Sequence, residues 1–353
     1  MLASGAVAAV TTVTHLVPPV VAAGAAQLAG VGFSAVRSVA TPLPIFHQPG
    51  RLSARILRRN SADQSGRTRT APRAVAVLLS VAAIVAALTQ TLALPWSFAG
   101  LAFGLQWGFF LLHGWPERSE KLYDASGSLT HLALIVAGLV FDPLRSPRQI
   151  MLSVFATVWC TRLGTFLFNR ISADKEDTRF TEMKTNFWSF SVAWNLQVLW
   201  VFLLQLPVLV VNTVGQPALG VWDLLGWSLW CLGFLVEAVA DGQKFAFRGT
   251  SSNKGKFITT GLWRYSRHPN YFGEILMWIG LCTSCCSCIT SNLQWLVWLS
   301  PAFNAFLLLF VSGVPMLEKA GEKKWGKDPA YRHYMENTSC IVPWMPASEN
   351  RPE

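Results

Sequence analysis

Eight apolar runs recur along this chain, at about 74–94, 96–113, 129–144, 150–168, 188–212, 218–240, 275–291 and 293–316. A helix that crosses the hydrocarbon core of a bilayer needs roughly 20 mostly apolar residues. It must also satisfy its own backbone hydrogen bonds, because no water is there to do so. Most of the runs meet that length, and 129–144 is the shortest. A soluble domain carries roughly a quarter charged residues. Here the charged share is 14% against 52% hydrophobic residues, which excludes a soluble globular protein. The 16 Trp and 22 Phe suit a membrane core with interfacial aromatics. The expected fold class is all-α, a polytopic membrane helix bundle of about seven to eight transmembrane helices.

The charges between the runs set the expected topology. They fall mainly in 114–128, 169–187, 241–274 and 317–353, and each consecutive pair of these segments is separated by two apolar runs. By parity, all four lie on one side of the membrane. The opposite connections are short and nearly uncharged except around Asp142, Arg145 and Arg148. The formal net charge of +10 is distributed in short blocks between apolar runs. Such a pattern fits a positive-inside membrane protein or an anionic ligand, and not a nucleic-acid groove.

Residues 1–73 differ from the rest, with eight Arg, no Lys and a single acid, Asp63. Arg-rich and acid-poor sequence of this kind reads as a targeting segment, with a signal anchor near 5–36 or a disordered basic arm as the rival readings. Unordered chain is expected over 53–70. The domain plan is thus a basic N-terminal arm, 1–73, before a membrane domain, 74–348. The location is an integral, multi-pass protein of the endoplasmic reticulum or of a plastid or mitochondrial membrane. The string "GVGFSA" at 30–35 fits a dinucleotide-binding fingerprint formally. No strand-like run precedes it and no acid follows at the right distance, so it carries no weight.

The segment 241–274, "DGQKFAFRGTSSNKGKFITTGLWRYSRHPNYFGE", sets Lys244, Arg248, Lys254, Lys256, Arg264 and Arg267 against Asp241 and Glu274. Pro269 suits the first turn of the helix that follows. That places Asn270 at a helix N-terminus, where free N–H groups and the helix dipole favour anions. Arg and Lys supply charge-assisted bonds to phosphate. Read from the residues alone, this is either a polyanion pocket at the membrane surface or an ordinary positive-inside loop.

"GLWRYSRHPNYFGE", followed by the apolar "ILMWIGL", resembles the C-terminal domain of the steroid 5-alpha-reductase-like family of membrane proteins. The resemblance extends over about 100–345 through "SEKLYDASGSLTHL", "TRLGTFLFNRI", "EDTRF" and "PMLEKAGEKKWGKDPAYRHYMENTSCIVPW". It implies an enzyme, an oxidoreductase with an NADPH site in 241–348. By position it suggests Asp241, Lys244, Arg248 and Lys256 as upstream cofactor contacts, and Tyr265, Arg267, His268, Asn270, Tyr271 and Glu274 as core contacts. Tyr331 and Tyr334, with Lys319 or Lys324, would close the pocket from the tail. Isoprenylcysteine and phospholipid methyltransferases use a similar "RHPxYxG" element for S-adenosylmethionine, so a membrane methyltransferase is the alternative. A non-catalytic lipid-binding protein is a third reading.

Proton chemistry points to the other polar segments. Tyr123 and Asp124 stand between apolar runs at a helix start, where a Tyr with a carboxylate partner suits protonation of an activated double bond. Helix capping by Asp124 or Ser126 is the structural alternative. Glu274 completes the catalytic candidates. Arg162 lies within an apolar run with Arg170 eight residues on. An intramembrane charge of this kind is a functional candidate, and Asp177 and Arg179 are its available partners. Asn195, Gln197 and Gln205 are expected to face the bundle, and Glu237 to share a helix face with Asp241. Cys282, Cys285, Cys286 and Cys288 lack nearby His or Asp and read as small residues packed between helices. No metal site is expected. The expected function is NADPH-dependent reduction of a carbon–carbon double bond in a lipophilic substrate: a steroid, a sterol, an enoyl lipid or an isoprenoid. The expected partners are that small molecule and membrane lipid, with no nucleic acid.

Overall fold

The computed structural model of the protein describes the backbone of residues 52–141, 145–174, 177 and 180–346, with side chains at 71–141, 145–167, 177 and 180–346. The targeting reading of 1–51, the 30–35 string, and the side chains of Arg170 and Arg179 lie outside these residues. The described elements are helical, with no strand among them. They are α1 (Leu52–Thr91), α2 (Trp96–Phe109), α3 (Tyr123–Phe141), α4 (Pro147–Asp174), α5 (Phe187–Val211), α6 (Val221–Gly249), α7 (Pro269–Cys285), α8 (Leu299–Phe306), α9 (Val314–Trp325) and α10 (Pro329–Asn337).

Six segments are long and apolar enough to cross a bilayer: Ala71–Thr91, Tyr123–Phe141, Pro147–Leu167, Phe187–Val211, Val221–Gly249 and Asn292–Trp325. The chain is an all-α, multi-pass membrane protein. Two expected spans are shorter as helices. α2 has 14 residues before a π-helical turn at Phe110–Gly114, and α7 has 17. The run expected at 293–316 is divided among a 3₁₀ stretch (Asn292–Trp298), α8, a π-helical turn and α9. The short 129–144 run is completed backwards, because Tyr123–Ser128 join α3. α1 reaches back to Leu52, into the basic stretch for which composition predicts unordered chain. Adding residues to an existing helix costs far less than nucleating one.

The described residues form two compact units. The first takes the chain to 144, then 156–205 and 291–296; the second takes 145–155, 206–290 and 297 onward.

Within the first unit, α3 and α5 run in the same direction. The Tyr123 hydroxyl donates to the Ala193 carbonyl at 3.0 Å, Gln197 Nε2 to the Tyr123 carbonyl at 2.8 Å, and Gln205 pairs with His131 at 2.8 Å. Their leading ends therefore meet. Lys184 Nζ lies 2.7 Å from Glu120, and the Asp177 N–H donates to the same carboxylate at 2.8 Å. Parity places 114–128 and 169–187 on one side of the membrane, which is compatible with this contact. Burial opposes ionisation of Glu120, yet these two contacts hold its carboxyl below the usual value. Phe110, Phe180, Phe190, Ala193 and Trp194 make the core here. A Cβ at Gly114 would come within 2.8 Å of the Trp194 ring, so the π-helical turn ends on a residue that has none.

The second unit is built on the α6–α7 pair. Gly226 and Gly233 on α6 face Gly280 and Gly273 on α7. A Cβ at Gly226 would lie 2.5 Å from the Gly280 carbonyl oxygen, and one at Gly233 would lie 2.6 Å from that of Gly273. Small residues at heptad spacing let two backbones touch, which is the favoured way to pack helices in lipid. One end of this unit holds a buried ion pair. Arg148 Nε and Nη2 donate to Asp223 at 2.7 and 2.8 Å. The remaining Arg148 donors reach Gln216, Pro217 and Ala218. Asp223 also accepts from Ser284, Ser287 and the Gly220 N–H. Cys282, Cys285 and Cys288 are buried and free, with thiols bonded to backbone carbonyls, as packing residues would be.

Candidate functional site

At the other end of the second unit, the basic segment 241–274 and the tail clasp each other. α6 continues beyond its apolar part to Gly249, which sets Asp241, Lys244 and Arg248 on one face by their spacing. Glu237 lies one turn earlier and is buried. Gly261 then turns the chain at φ +63°, and a Cβ there would strike the Gln243 side chain. That side chain accepts the Leu262 N–H at 2.9 Å. Trp263 is thereby laid on α6. Its indole N–H donates to the Ala240 carbonyl at 2.9 Å, and the Lys244 ammonium sits 4.5 Å from its ring centre.

Residues 265–267 bind the tail backbone. The Trp344 N–H donates to the Tyr265 carbonyl at 3.0 Å, the Arg267 N–H to the Ser339 carbonyl at 2.8 Å, and the Ser266 hydroxyl to the Ile341 carbonyl at 2.7 Å. The Tyr334 hydroxyl donates to the Trp263 carbonyl at 2.7 Å. Tyr331 packs its hydroxyl against Gly321, where a Cβ would collide with it. Its ring and that of Tyr334 pack on Phe257. Burial raises the pKa of both phenols, so both keep their protons at neutral pH.

The charge centre is Arg267–His268–Glu318. Arg267 Nη2 lies 3.4 Å from the Glu318 carboxylate and His268 Nε2 lies 3.3 Å from it. Arg267 Nη1 donates to the Met335 carbonyl at 3.0 Å. The His268 ring stacks on Tyr271, with centroids 5.4 Å apart and an interplanar angle of 5°. Two buried atoms of this centre have no hydrogen-bond partner among the described residues: Arg267 Nε and His268 Nδ1. Ligand atoms of His268, Glu318 and Cys340 come within 4.8 Å of one another. The Arg267 guanidinium already faces that carboxylate and repels a further cation.

Pro269 occupies the first turn of α7, as expected, and His268 stands at the N-cap with no side-chain cap bond. Asn270, Tyr271 and Glu274 follow, all half-buried. Glu274 accepts from Asn304 of α8 at 3.4 Å. Arg248, Lys254, Lys256 and Arg264 are exposed. These four have no carboxylate partner among the described residues, whereas Lys244 interacts with the Asp241 carboxylate.

Asp241, Lys244, Tyr265, Arg267, His268, Asn270, Tyr271, Glu274, Tyr331 and Tyr334 thus belong to the second unit, where Tyr334 reaches the Trp263 carbonyl and Tyr331 packs on Phe257. Tyr123 and Asp124 belong to the first unit. Tyr123 donates its hydroxyl to a backbone carbonyl and packs its ring against Phe180 and Trp194. Asp124 sits in the first turn of α3. Ser266, Trp263 and Glu318 also bind the clasp together, beyond the residues that the sequence pattern points to. For Glu318 a signal existed, since it stands inside the quoted tail block.

A family model described as "Protein of unknown function (DUF1295)" matches residues 109–338. The chain belongs to this family. An uncharacterized protein of Schizosaccharomyces pombe is 24% identical over 271 residues, covering 69% of this chain and 76% of the yeast protein. No solved structure matches the chain significantly. The matched family region begins at the last residue of α2 and ends just after α10, so it takes in parts of both units, including Arg267, His268 and Glu318, and stops short of Ser339, Ile341 and Trp344 of the tail.

Proposed function

We propose that this DUF1295 protein is an NADPH-dependent reductase of a carbon–carbon double bond in a lipophilic substrate. One observation carries the reading: Arg248, Lys254, Lys256 and Arg264, all exposed and without carboxylate partners among the described residues, sit on the segment that the tail clasps. Unpaired cations concentrated on one folded segment suit a ligand with several phosphate groups. NADPH has them; S-adenosylmethionine has none and carries a sulfonium. The resemblance of "GLWRYSRHPNYFGE" to the steroid 5-alpha-reductase-like family supports the same reading. The Arg-rich N-terminus supports an organelle or endoplasmic-reticulum membrane as its location.

The residues present fit such a group. Arg248 and Lys256 meet phosphate charge. Asn270, at the start of α7, and Glu274, held by Asn304, offer neutral and acceptor contacts. The unpartnered His268 Nδ1 and Arg267 Nε give two further polar contacts, and the Glu318 carboxylate fixes both side chains. When bound, NADPH supplies a hydride. The proton must come from the chain. Apolar helix surface excludes water from a lipid-soluble substrate.

The test is titration of purified, detergent-solubilised protein with NADPH, NADH and S-adenosylmethionine. Preferential binding of NADPH is expected. Binding of S-adenosylmethionine with no response to NADPH would replace the reductase by a methyltransferase.

A further inference from the structure

The first unit carries a polar cavity of about 330 Å³ that the proposed reaction does not use. Arg118, Lys121 and Lys184 line it with Glu117, Glu120 and His113, three cations against two carboxylates. Glu120 is buried and already spoken for by Lys184 and the Asp177 N–H. Arg118 is held stiffly. Its backbone is at φ +50°, a region few non-glycine residues occupy. Its guanidinium lies 3.2 Å from the ring centre of Trp115, and its Nη1 donates to the Lys184 carbonyl at 2.9 Å. Neither Arg118 nor Lys121 has a carboxylate partner among the described residues. His113 Nε2 is buried there without a hydrogen-bond partner. A fixed guanidinium, a second unpaired cation and an unsatisfied buried imidazole nitrogen together describe a site for a tetrahedral oxyanion.

The neighbouring surface says where that anion comes from. Leu111 and Leu112, immediately before His113 on the π-helical turn, are 49% and 84% exposed. Large apolar side chains open to the surroundings beside a cationic cavity and a Trp mark the depth where headgroups meet acyl chains. A soluble phosphate has no use for those leucines, whereas a phospholipid carries its phosphate on the chains they would touch. We propose that this cavity binds the phosphate of a membrane phospholipid, with Arg118 and Lys121 as the charge contacts and His113 as a further hydrogen-bonding group. The proposal does not depend on the reductase reading.

Native mass spectrometry of the full chain in mild detergent tests it. The probes are phosphatidylglycerol and a diacylglycerol with the same chains but no phosphate, with inorganic phosphate as competitor. One retained phosphatidylglycerol, not exchanged for diacylglycerol, is the expected result. Lys121→Gln should lower its retention about tenfold, and Arg118→Gln at least as much. Lys121 is the decisive variant, because its exposed side chain makes no hydrogen bond or ion pair among the described residues, so its loss is expected to leave folding intact. Wild-type retention in both variants overturns the proposal. Displacement of the lipid by millimolar inorganic phosphate overturns the lipid source and leaves a soluble phosphate site. Weakened NADPH binding in Lys121→Gln, with lipid retention unchanged, assigns the cavity to the nucleotide and also overturns it.

Discussion

The two ends of the second unit treat charge in opposite ways. At one end, Arg148 makes five hydrogen bonds and Asp223 accepts from Arg148, Ser284, Ser287 and the Gly220 N–H. Both side chains are almost wholly buried, at 0% and 1% exposure. At the other end, Arg267 and His268 share one carboxylate that is itself 28% exposed, and each keeps an unpartnered buried nitrogen. The first arrangement is closed and has nothing left to offer a ligand. The second is open, and four exposed cations without carboxylate partners among the described residues, Arg248, Lys254, Lys256 and Arg264, lie on the same segment. An intramembrane charge is a functional candidate by default, but the completeness of its hydrogen bonds separates a structural pair from a binding one.

The largest effect is expected from breaking the closed pair. Arg148→Met or Asp223→Leu alone leaves a buried charge uncompensated, which typically costs about 3–5 kcal/mol. Thermal unfolding in detergent should show that loss in each single variant. The double variant should recover most of it, since two apolar groups replace a satisfied pair. A double variant as unstable as the singles would mean that the pair stabilises by more than its own closure.

The open end should respond in binding. Arg248→Ala and Lys256→Ala should each weaken NADPH by about 1.5–3 kcal/mol, the usual value of a charge-assisted contact, roughly ten- to hundredfold. At least one should narrow the preference over NADH. Asn270→Ala should weaken both nucleotides alike, and Glu274→Gln less so. Unfolding of these variants should stay near wild type. A large stability loss without a binding change would erase the contrast between the two ends.

Glycine substitutions sharpen the comparison from within the frame. Gly226→Ala drives a Cβ against Ser284, a ligand of Asp223, and should cost about 1–3 kcal/mol, as overpacking does, while NADPH affinity holds. Gly273→Ala drives a Cβ toward the α6 backbone at Gly233 and Glu237, and should lower stability and nucleotide affinity together.

The smallest effect belongs to Glu120–Lys184 in the first unit. The carboxyl of Glu120 is held below its ordinary value of 4.5. Its contribution is therefore complete above that value and is lost as pH falls through the lower, folded-state value. Glu120→Gln should remove that part of the acid dependence and cost at most about 1 kcal/mol at pH 7. Unfolding midpoints between pH 3 and 7 would show it.

That the chain is built of apolar helices was legible in the sequence, and their ends only in part: α1 starts at Leu52 rather than near 74, and the 293–316 run is broken into several pieces. A helix satisfies its backbone locally, so length, hydropathy and Pro269 at a first turn speak for themselves. The contacts of Glu120 with Lys184 and Asp177 bring 114–128 and 169–187 together, as segments on one side of a membrane can be. What local pattern cannot contain is which buried polar group meets which. Asp223 sat unremarked in an apolar run, and its partner lies 75 residues away. Glu318 stood in a quoted block, yet its place beside His268, 50 residues back, depends on how the tail folds over α7. The glycines of α6 and α7 are ordinary membrane-helix residues until the crossing brings the two backbones into contact. Such pairings are set by packing between distant segments, whose geometry exists only once the helices have assembled.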